Sequence, residues 1–154
     1  MEKIVIEVCC GSVDDAVRAA EAGVDRIELN AALYVGGLTP SVGAVLETKA
    51  RVNIPVVCMI RPRAGGFCYT ALEFETMLRD TQELAKAGAD SFAVGFLTEE
   101  GRLDEKRCKI WAEAAGGKEM VFHRAFDIMK NPPEEVLPRL AEIGFRRILT
   151  SGRE

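Results

Sequence analysis

Eight residues spread along the chain have the types that a polar, reactive cavity needs: Glu7, Glu28, Arg61, Arg63, His123, Arg124, Asp127 and Thr150. Glu7, Glu28 and His123 are candidate catalytic groups, because carboxylates and imidazoles move protons once their pKa values are tuned. Arg61, Arg63 and Arg124 are candidate ligand-binding groups, because a guanidinium clamps a carboxylate or phosphate bidentately. Asp127 and Thr150 complete the ligand-binding set. The only histidine sits in Val121-Phe122-His123-Arg124-Ala125-Phe126-Asp127. This stretch starts apolar, as a buried strand does, and turns ionic within two residues. A strand that breaks in this way is ending at a rim, and in α/β folds ligands sit at rims.

Each candidate has a structural alternative. Two glutamates, an arginine and a histidine in one mouth must pair with one another or await a ligand, since an unpaired buried carboxylate costs several kcal/mol. A self-satisfied ion-pair network mimics a site. Asp127 alternatively caps the turn after its strand or pairs with Arg124. Arg63 is alternatively surface charge, Phe67 and Tyr69 loop anchors, and Trp111 core. Gly65-Gly66 gives a flexible loop able to close over a ligand.

Parallel strands and crossover helices must position these groups. β-rich runs predict strands over 4–8, 24–29, 54–60, 91–96, 119–122 and 146–150. Capped, periodic stretches predict helices over 13–22, 41–51, 72–87, 104–115 and 132–143. The caps expected are Ser12 or Asp14, Thr39 or Ser41, and Asp104. Ala22-Gly23-Val24-Asp25 and Ala87-Gly88-Ala89-Asp90 repeat the same helix stop. Long loops follow strands and short turns follow helices, as in a (β/α) barrel. The fold class expected is α/β, a partial TIM-like barrel of about six parallel strands and five crossover helices. A doubly wound sheet competes, but no Gly-x-Gly-x-x-Gly follows the first strand. Alternation along strands places Val5, Glu7 and Cys9 inward, with Arg26, Glu28, Asn30, Val57, Met59, Arg61, Val121, His123, Ile148 and Thr150. Ile6, Val8, Ile27, Leu29, Ile60 and Leu149 then face the helices.

The bulk numbers narrow the class. A chain of 154 residues suits a single domain spanning 1–154. Its 48% hydrophobic and 29% charged content is ordinary for a globular protein. With a net charge of −4 and no long basic run, the expected partner is a small-molecule ligand, with no nucleic acid and no membrane. The N-terminus reads as neither a signal peptide nor a span. Five cysteines without framework spacing suggest reduced thiols in the cytoplasm. A full barrel takes eight units and about 200–250 residues. Five units and a sixth strand leave strands 1 and 6 as edges, whether in a fragment or a short variant. Open edges attract partners, so a homo-oligomer is expected.

Several motifs together resemble one family. They are Glu7-Val8-Cys9, Asp25-Arg26-Ile27-Glu28-Leu29, Gly36-Gly37-Leu38-Thr39-Pro40-Ser41, Ile60-Arg61-Pro62-Arg63, Phe67-Cys68-Tyr69, Phe122-His123-Arg124-Ala125-Phe126-Asp127 and Leu149-Thr150-Ser151-Gly152. In this order they resemble the CutC family, named for copper homeostasis, over the whole chain. The resemblance implies a TIM-like barrel, a cytoplasmic location, a dimeric or larger assembly and copper binding. Two departures stand out. Family members often continue well beyond the Thr-Ser-Gly stretch. Some carry a cysteine where this chain has Asn30, and that cysteine with the equivalent of Cys9 has been proposed as the copper site. Here Cys9 alone represents the pair and is the candidate metal ligand.

Copper(I) prefers thiolate, thioether and imidazole. The donors present are Cys9, Cys10, Cys58, Met59, Cys68 and His123. Adjacent Cys9 and Cys10 point to opposite faces of a strand, and there is no Cys-x-x-Cys. Cys58 and Cys108 are alternatively small buried hydrophobes. The function expected is copper homeostasis with copper binding implied by the resemblance. The alternatives are an enzyme acting on a small anionic metabolite at the mouth, or a non-catalytic binding or scaffold remnant.

Overall fold

Six short strands, each following the last in space as in sequence, form the frame of the molecule. They are β1 (Glu7–Cys10), β2 (Arg26–Leu29), β3 (Val56–Met59), β4 (Ser91–Val94), β5 (Glu119–Phe122) and β6 (Phe145–Ile148). All five neighbouring pairs are parallel, and the sheet order is β1-β2-β3-β4-β5-β6. This is a computed structural model, which describes residues 4–152. Residues 1–3, part of the N-terminus read as unexported, and residues 153–154 lie outside the described residues.

Five crossover helices connect the strands: α1 (Val13–Glu21), α2 (Val42–Lys49), α3 (Ala71–Lys86), α4 (Glu105–Ala114) and α6 (Pro133–Ile143). A sixth, the short α5 (Ala125–Ile128), occupies the loop after β5. Most of the crossover helices start where a side chain satisfies a free backbone N–H. Ser12, Ser41 and Asp104 accept from Asp15, Ala44 and Arg107. Thr70 and Glu73 form a reciprocal capping box on α3. α6 instead has proline in its first turn and ends at Gly144 in the left-handed conformation. No helix among the described residues is long and apolar enough to cross a membrane.

The expected fold class holds: an α/β chain folded as a partial TIM-like barrel. The sheet separates two apolar layers. On the helix side Ile27, Leu29, Cys58, Ile60, Phe92, Phe122 and Cys108 pack with Trp111. The Trp111 indole donates to Thr81 Oγ1 at 2.8 Å, which satisfies its only polar atom inside that core. On the concave side Val57, Met59, Ala93 and Val121 form a small second cluster, with Leu149 against it.

The expected faces hold on β2, β3 and β5, and on β1 from Glu7 onward, and fail on β6; Val5 and Ile6, expected on the two faces of the first strand, lie ahead of β1 and are exposed. The β5–β6 register shifts between Met120 and Val121, so that Phe145 pairs with Met120 while Arg147 pairs with Val121. The extra residue inverts the alternation. Phe145 goes outward and stacks on Trp111. Arg147 and Leu149 go inward, and Ile148 joins the helix side. Ile148 and Thr150 are therefore not the inward pair, and Leu149 does not face the helices.

Candidate functional site

The concave face carries polar groups in two tiers, and most of its unpartnered buried atoms lie in the upper one. In the lower tier Glu7 Oε2 accepts from Arg26 Nε and, at 2.9 Å, from Arg147. Arg147 Nε also donates to Glu119 at 2.6 Å. Arg147 lies on the last strand and Glu7 on the first, so this cluster ties the two ends of the row together across the concave side. It is an ion-pair network of the kind anticipated for the charged residues, and of those it contains Glu7; Arg147 Nη2 stays without a partner.

The upper tier lies at the C-terminal ends of the strands. A cavity of about 190 Å³ is lined there by Cys9, Glu28, Asn30, Met59, Arg61, Phe67, His123, Arg124 and Leu149, with Leu33 and Gly36 at its edge. Four of its polar residues are almost fully buried: Glu28 at 2% exposure, Asn30 at 3%, Arg61 at 7% and His123 at 2%. Buried polar atoms normally have partners. Here Glu28 Oε2, Asn30 Oδ1, Arg61 Nε and His123 Nε2 have none. A broader depression of about 480 Å³ on the outside of α3 gathers none of these atoms.

β2 ends in Glu28, Leu29 and Asn30, so Glu28 and Asn30 point the same way. The Asn30 amide donates to the Glu28 carbonyl at 3.2 Å and to Glu28 Oε1 at 3.0 Å. Cys9 Sγ lies 3.5 Å from the same Oε1. Burial raises the Glu28 pKa; the Asn30 hydrogen bond opposes it and the Glu7 charge adds to it. Both donors to Glu28 sit on Oε1, so a proton taken up by this carboxyl goes to Oε2. Gly37 makes the Asn30 position possible. It has φ of +86°, and a Cβ there would lie 2.3 Å from Asn30 Oδ1.

Arg61 follows β3 and spends most of its guanidinium on backbone. One terminal nitrogen donates to the carbonyls of Val35 and Gly37 at 2.9 and 3.1 Å, the other to Gly65 at 2.8 Å. It thereby joins the loops after β2 and β3. The Tyr69 hydroxyl lies close enough to the guanidinium to interact with it, although neither it nor Arg61 Nε makes a hydrogen bond of normal geometry. The Phe67 ring lies between Arg61, 5.3 Å from its centroid, and the His123 imidazole, 4.7 Å away.

His123 follows β5 and is pressed against β4. A Cβ on Gly95 would lie 2.6 Å from His123 Cε1 and 2.7 Å from Nδ1, so only glycine lets the ring sit there. Burial first, and the Arg61 charge second, lower its pKa to about 3. The ring is therefore neutral at physiological pH. The backbone N–H of Ala125 donates to Nδ1 at 3.2 Å. A neutral imidazole has one N–H, so the proton sits on Nε2. His123 thus offers a fixed hydrogen-bond donor and no free lone pair.

The other candidates lie outside this arrangement or at its rim. Arg63 is bound to Glu73 by two hydrogen bonds, at 2.6 and 3.1 Å, and to the carbonyls of Gly66 and Cys68. It braces the loop against the start of α3 and does not line the cavity. Asp127 accepts from the Thr150 hydroxyl, from Ser151 N and Oγ at 2.9 Å each, and from Arg124 at 3.3 Å. Burial acts upward on its carboxyl, but these donors outweigh it and hold the pKa at about 2. Asp127 and Thr150 therefore latch the end of β6 to α5. Arg124 lines the cavity with its side chain 65% exposed. Of the eight starting candidates, the structure brings together Glu28, Arg61, His123 and Arg124, with Cys9 beside them. Asn30, Phe67 and Gly95 were absent from the candidate list. Strand alternation signals Asn30, two residues after Glu28, and a glycine just past a buried strand signals Gly95.

Copper was the metal implied by the resemblance. Cys9, Met59 and His123 are soft donors lining one cavity. They do not fit copper as they stand. Cys9 is exposed at the rim, yet partial desolvation, then Glu28, push its thiol up to about 12, and His123 Nε2 carries a proton. Cys10 and Cys58 are buried on the helix side. Among the described residues no three His, Cys, Asp or Glu side chains cluster to hold a metal.

Comparisons with known proteins fit this picture. The sequence profile of the CutC family matches residues 4–154. A Treponema denticola protein named as a CutC family protein is 46% identical over 154 residues, covering 100% of this chain and 62% of the relative. Its Serratia proteamaculans counterpart is 44% identical, covering 98% of this chain and 60% of the relative. The chain thus spans about three fifths of the length of these curated relatives. A crystal structure of a Streptococcus agalactiae protein named for copper homeostasis and CutC superposes with TM-score 0.91 at 34% identity, over 99% of this chain and 74% of that one. A phosphonopyruvate hydrolase, at 14% identity and TM-score 0.71 over 99% of this chain and 59% of its own, shares the fold alone.

Proposed function

The chain belongs to the CutC family, and from that premise we propose that it is a copper-homeostasis protein of CutC type whose working site is the mouth cavity, built to bind a small anionic molecule. The observation that carries this is the set of buried side-chain atoms without partners around one cavity. Each such atom costs about 1–3 kcal/mol while unmet, so the arrangement is tolerable where a ligand supplies the missing bonds. Two guanidinium groups, Arg61 and Arg124, line the cavity against one carboxyl that burial drives toward its neutral form. The balance of charge therefore favours an anion. Five free thiols support a reducing compartment, the cytoplasm.

A thermal-shift series with pyruvate, acetate and inorganic phosphate tests this. At least one anion is expected to raise the melting temperature, with a smaller rise in Arg124→Gln, whose exposed side chain can be replaced without opening the core. No stabilisation by any of them, or equal stabilisation of the variant, overturns it.

Direct copper(I) binding is a second reading, favoured by the convergence of two sulfur donors, Cys9 and Met59, on the cavity. Binding there requires the site to give up protons, so the affinity would rise steeply with pH. Titration of the reduced protein with copper(I) against a competing chelator measures this. An affinity indifferent both to pH and to Cys9→Ser removes copper from this cavity.

A further inference from the structure

Resting on the small-anion reading, we infer that the ligand is a small hydroxycarboxylate: its carboxylate lies on the Arg61–His123–Arg124 side of the cavity and its hydroxyl on the Glu28–Asn30 side. The unmet atoms on the two sides differ in kind. On one side His123 Nε2–H is a donor held in place by the Ala125 N–H on the opposite ring nitrogen. Two guanidinium groups accompany it. An oxyanion answers the His123 donor, and the two guanidinium charges lining the same cavity favour it.

On the other side the unmet atoms are Asn30 Oδ1, an acceptor, and Glu28 Oε2. Asn30 cannot turn its amide to relieve the problem, because both of its existing bonds are donations, to the Glu28 carbonyl and to Glu28 Oε1. Glu28 Oε2 accepts when the carboxyl is ionised and donates when it is protonated. An ammonium or amide N–H serves only the first state, and a second carboxylate serves neither group well. A hydroxyl serves both states, since it donates and accepts. The cavity, at about 190 Å³, falls below the roughly 300–1,000 Å³ typical of pockets for drug-sized ligands, which suits an occupant of a few carbons. Leu149, Met59 and Phe67 supply apolar wall for its carbon chain.

The test compares two pairs of probes that differ by one hydroxyl: lactate against propionate, and 3-hydroxybutyrate against butyrate. Binding is followed by the ¹⁵N resonance of the single imidazole. In at least one pair the hydroxy acid is expected to bind about tenfold more tightly, the scale of one hydrogen bond to an otherwise unmet buried group. Asn30→Ala should abolish that preference. If Asn30→Ala does not fold, Glu28→Met serves the same purpose, keeping volume and removing the polar oxygens. Equal affinity within both pairs overturns the hydroxyl assignment and leaves the anion site standing. A preference that survives both variants also overturns it. If none of the four probes binds, this inference falls, and the small-anion reading falls with it only where pyruvate, acetate and inorganic phosphate also fail to stabilise the protein.

Discussion

Gly95→Ala gives a sharp test of how His123 is held. The added methyl carbon would lie 2.6 Å from His123 Cε1, 2.7 Å from Nδ1 and 2.7 Å from Ala125 Cβ. Carbon atoms settle about 3.5–4.0 Å apart, so the neighbours must retreat by close to an ångström. The imidazole cannot move freely, because Phe67 lies 4.7 Å away and the Ala125 N–H holds Nδ1. Ala125 opens α5, which the Asp127 latch ties to the end of β6. Overpacking of this kind costs about 1–3 kcal/mol. For a domain of this size each kcal/mol lowers the melting temperature by about 2–4 °C, so a fall of roughly 2–12 °C is expected. The His123 ¹⁵N shift should change with it. Gly66→Ala is the control: nothing lies within 4 Å of its added carbon and its φ is not left-handed, so its effect should stay within about 0.5 kcal/mol. A Gly95→Ala protein that melts with the wild type and keeps the same imidazole signal would refute the claim that glycine is what admits the ring.

Two further predictions concern charge. His123 has a folded pKa of about 3 against an ordinary 6.5, so between those values the unfolded chain binds a proton that the native state refuses. It therefore withdraws stability as pH falls from 6.5 toward 3 and contributes no pH dependence above that window. Its ¹⁵N spectrum should keep the neutral, Nε2-protonated pattern throughout mild acid, and a midpoint near 6.5 would contradict the buried site. Asp127 behaves in the opposite sense of shift, held at about 2 against 3.8. Its contribution is complete above 3.8 and is lost as pH falls toward 2, so Asp127→Asn should cost about 1–3 kcal/mol in urea unfolding at neutral pH and flatten stability across that acid window. An unchanged unfolding midpoint would mean the latch from α5 to Thr150 and Ser151 carries no weight.

Much of this architecture is legible from local pattern, and what is not involves contacts distant in sequence. Alternation suffices to aim Glu28, Asn30, Met59, Arg61 and His123 inward, because β2, β3 and β5 run without interruption up to the rim. It fails on β6, where one extra residue inverts the phase and Phe145 stacks on Trp111, a contact distant in sequence. The caps Ser12 and Asp104 follow from their own helices. The partners of Glu7 do not. Arg147 lies 140 residues away, and nothing local distinguishes Glu7 from Glu28, which also sits inward on a neighbouring strand. Arg63 presents the same difficulty, since Arg61 and Arg63 flank one proline in the same motif, yet one lines the cavity and the other clasps Glu73.

The two tiers of the concave face show why a pattern of charged residues alone cannot separate a scaffold from a site. Both hold a glutamate and an arginine on inward positions of adjoining strands. Below, Glu7 Oε2 receives two guanidinium groups and Arg147 bridges to Glu119. Such pairs add little net stability where water reaches them, and of their buried atoms Arg147 Nη2 alone lacks a partner. Above, the polar groups are more deeply buried, and their bonds are spent on holding one another still rather than on neutralising charge. Arg61 is fixed by three backbone carbonyls, His123 by one N–H, and Glu28 by an amide on a single oxygen. Each side chain is immobilised through one part and left unmet at another. Immobilised, unmet groups avoid the reorganisation that a flexible site incurs on binding, so the unmet atoms, more than the residue types, mark the upper tier as the place where a ligand gains most.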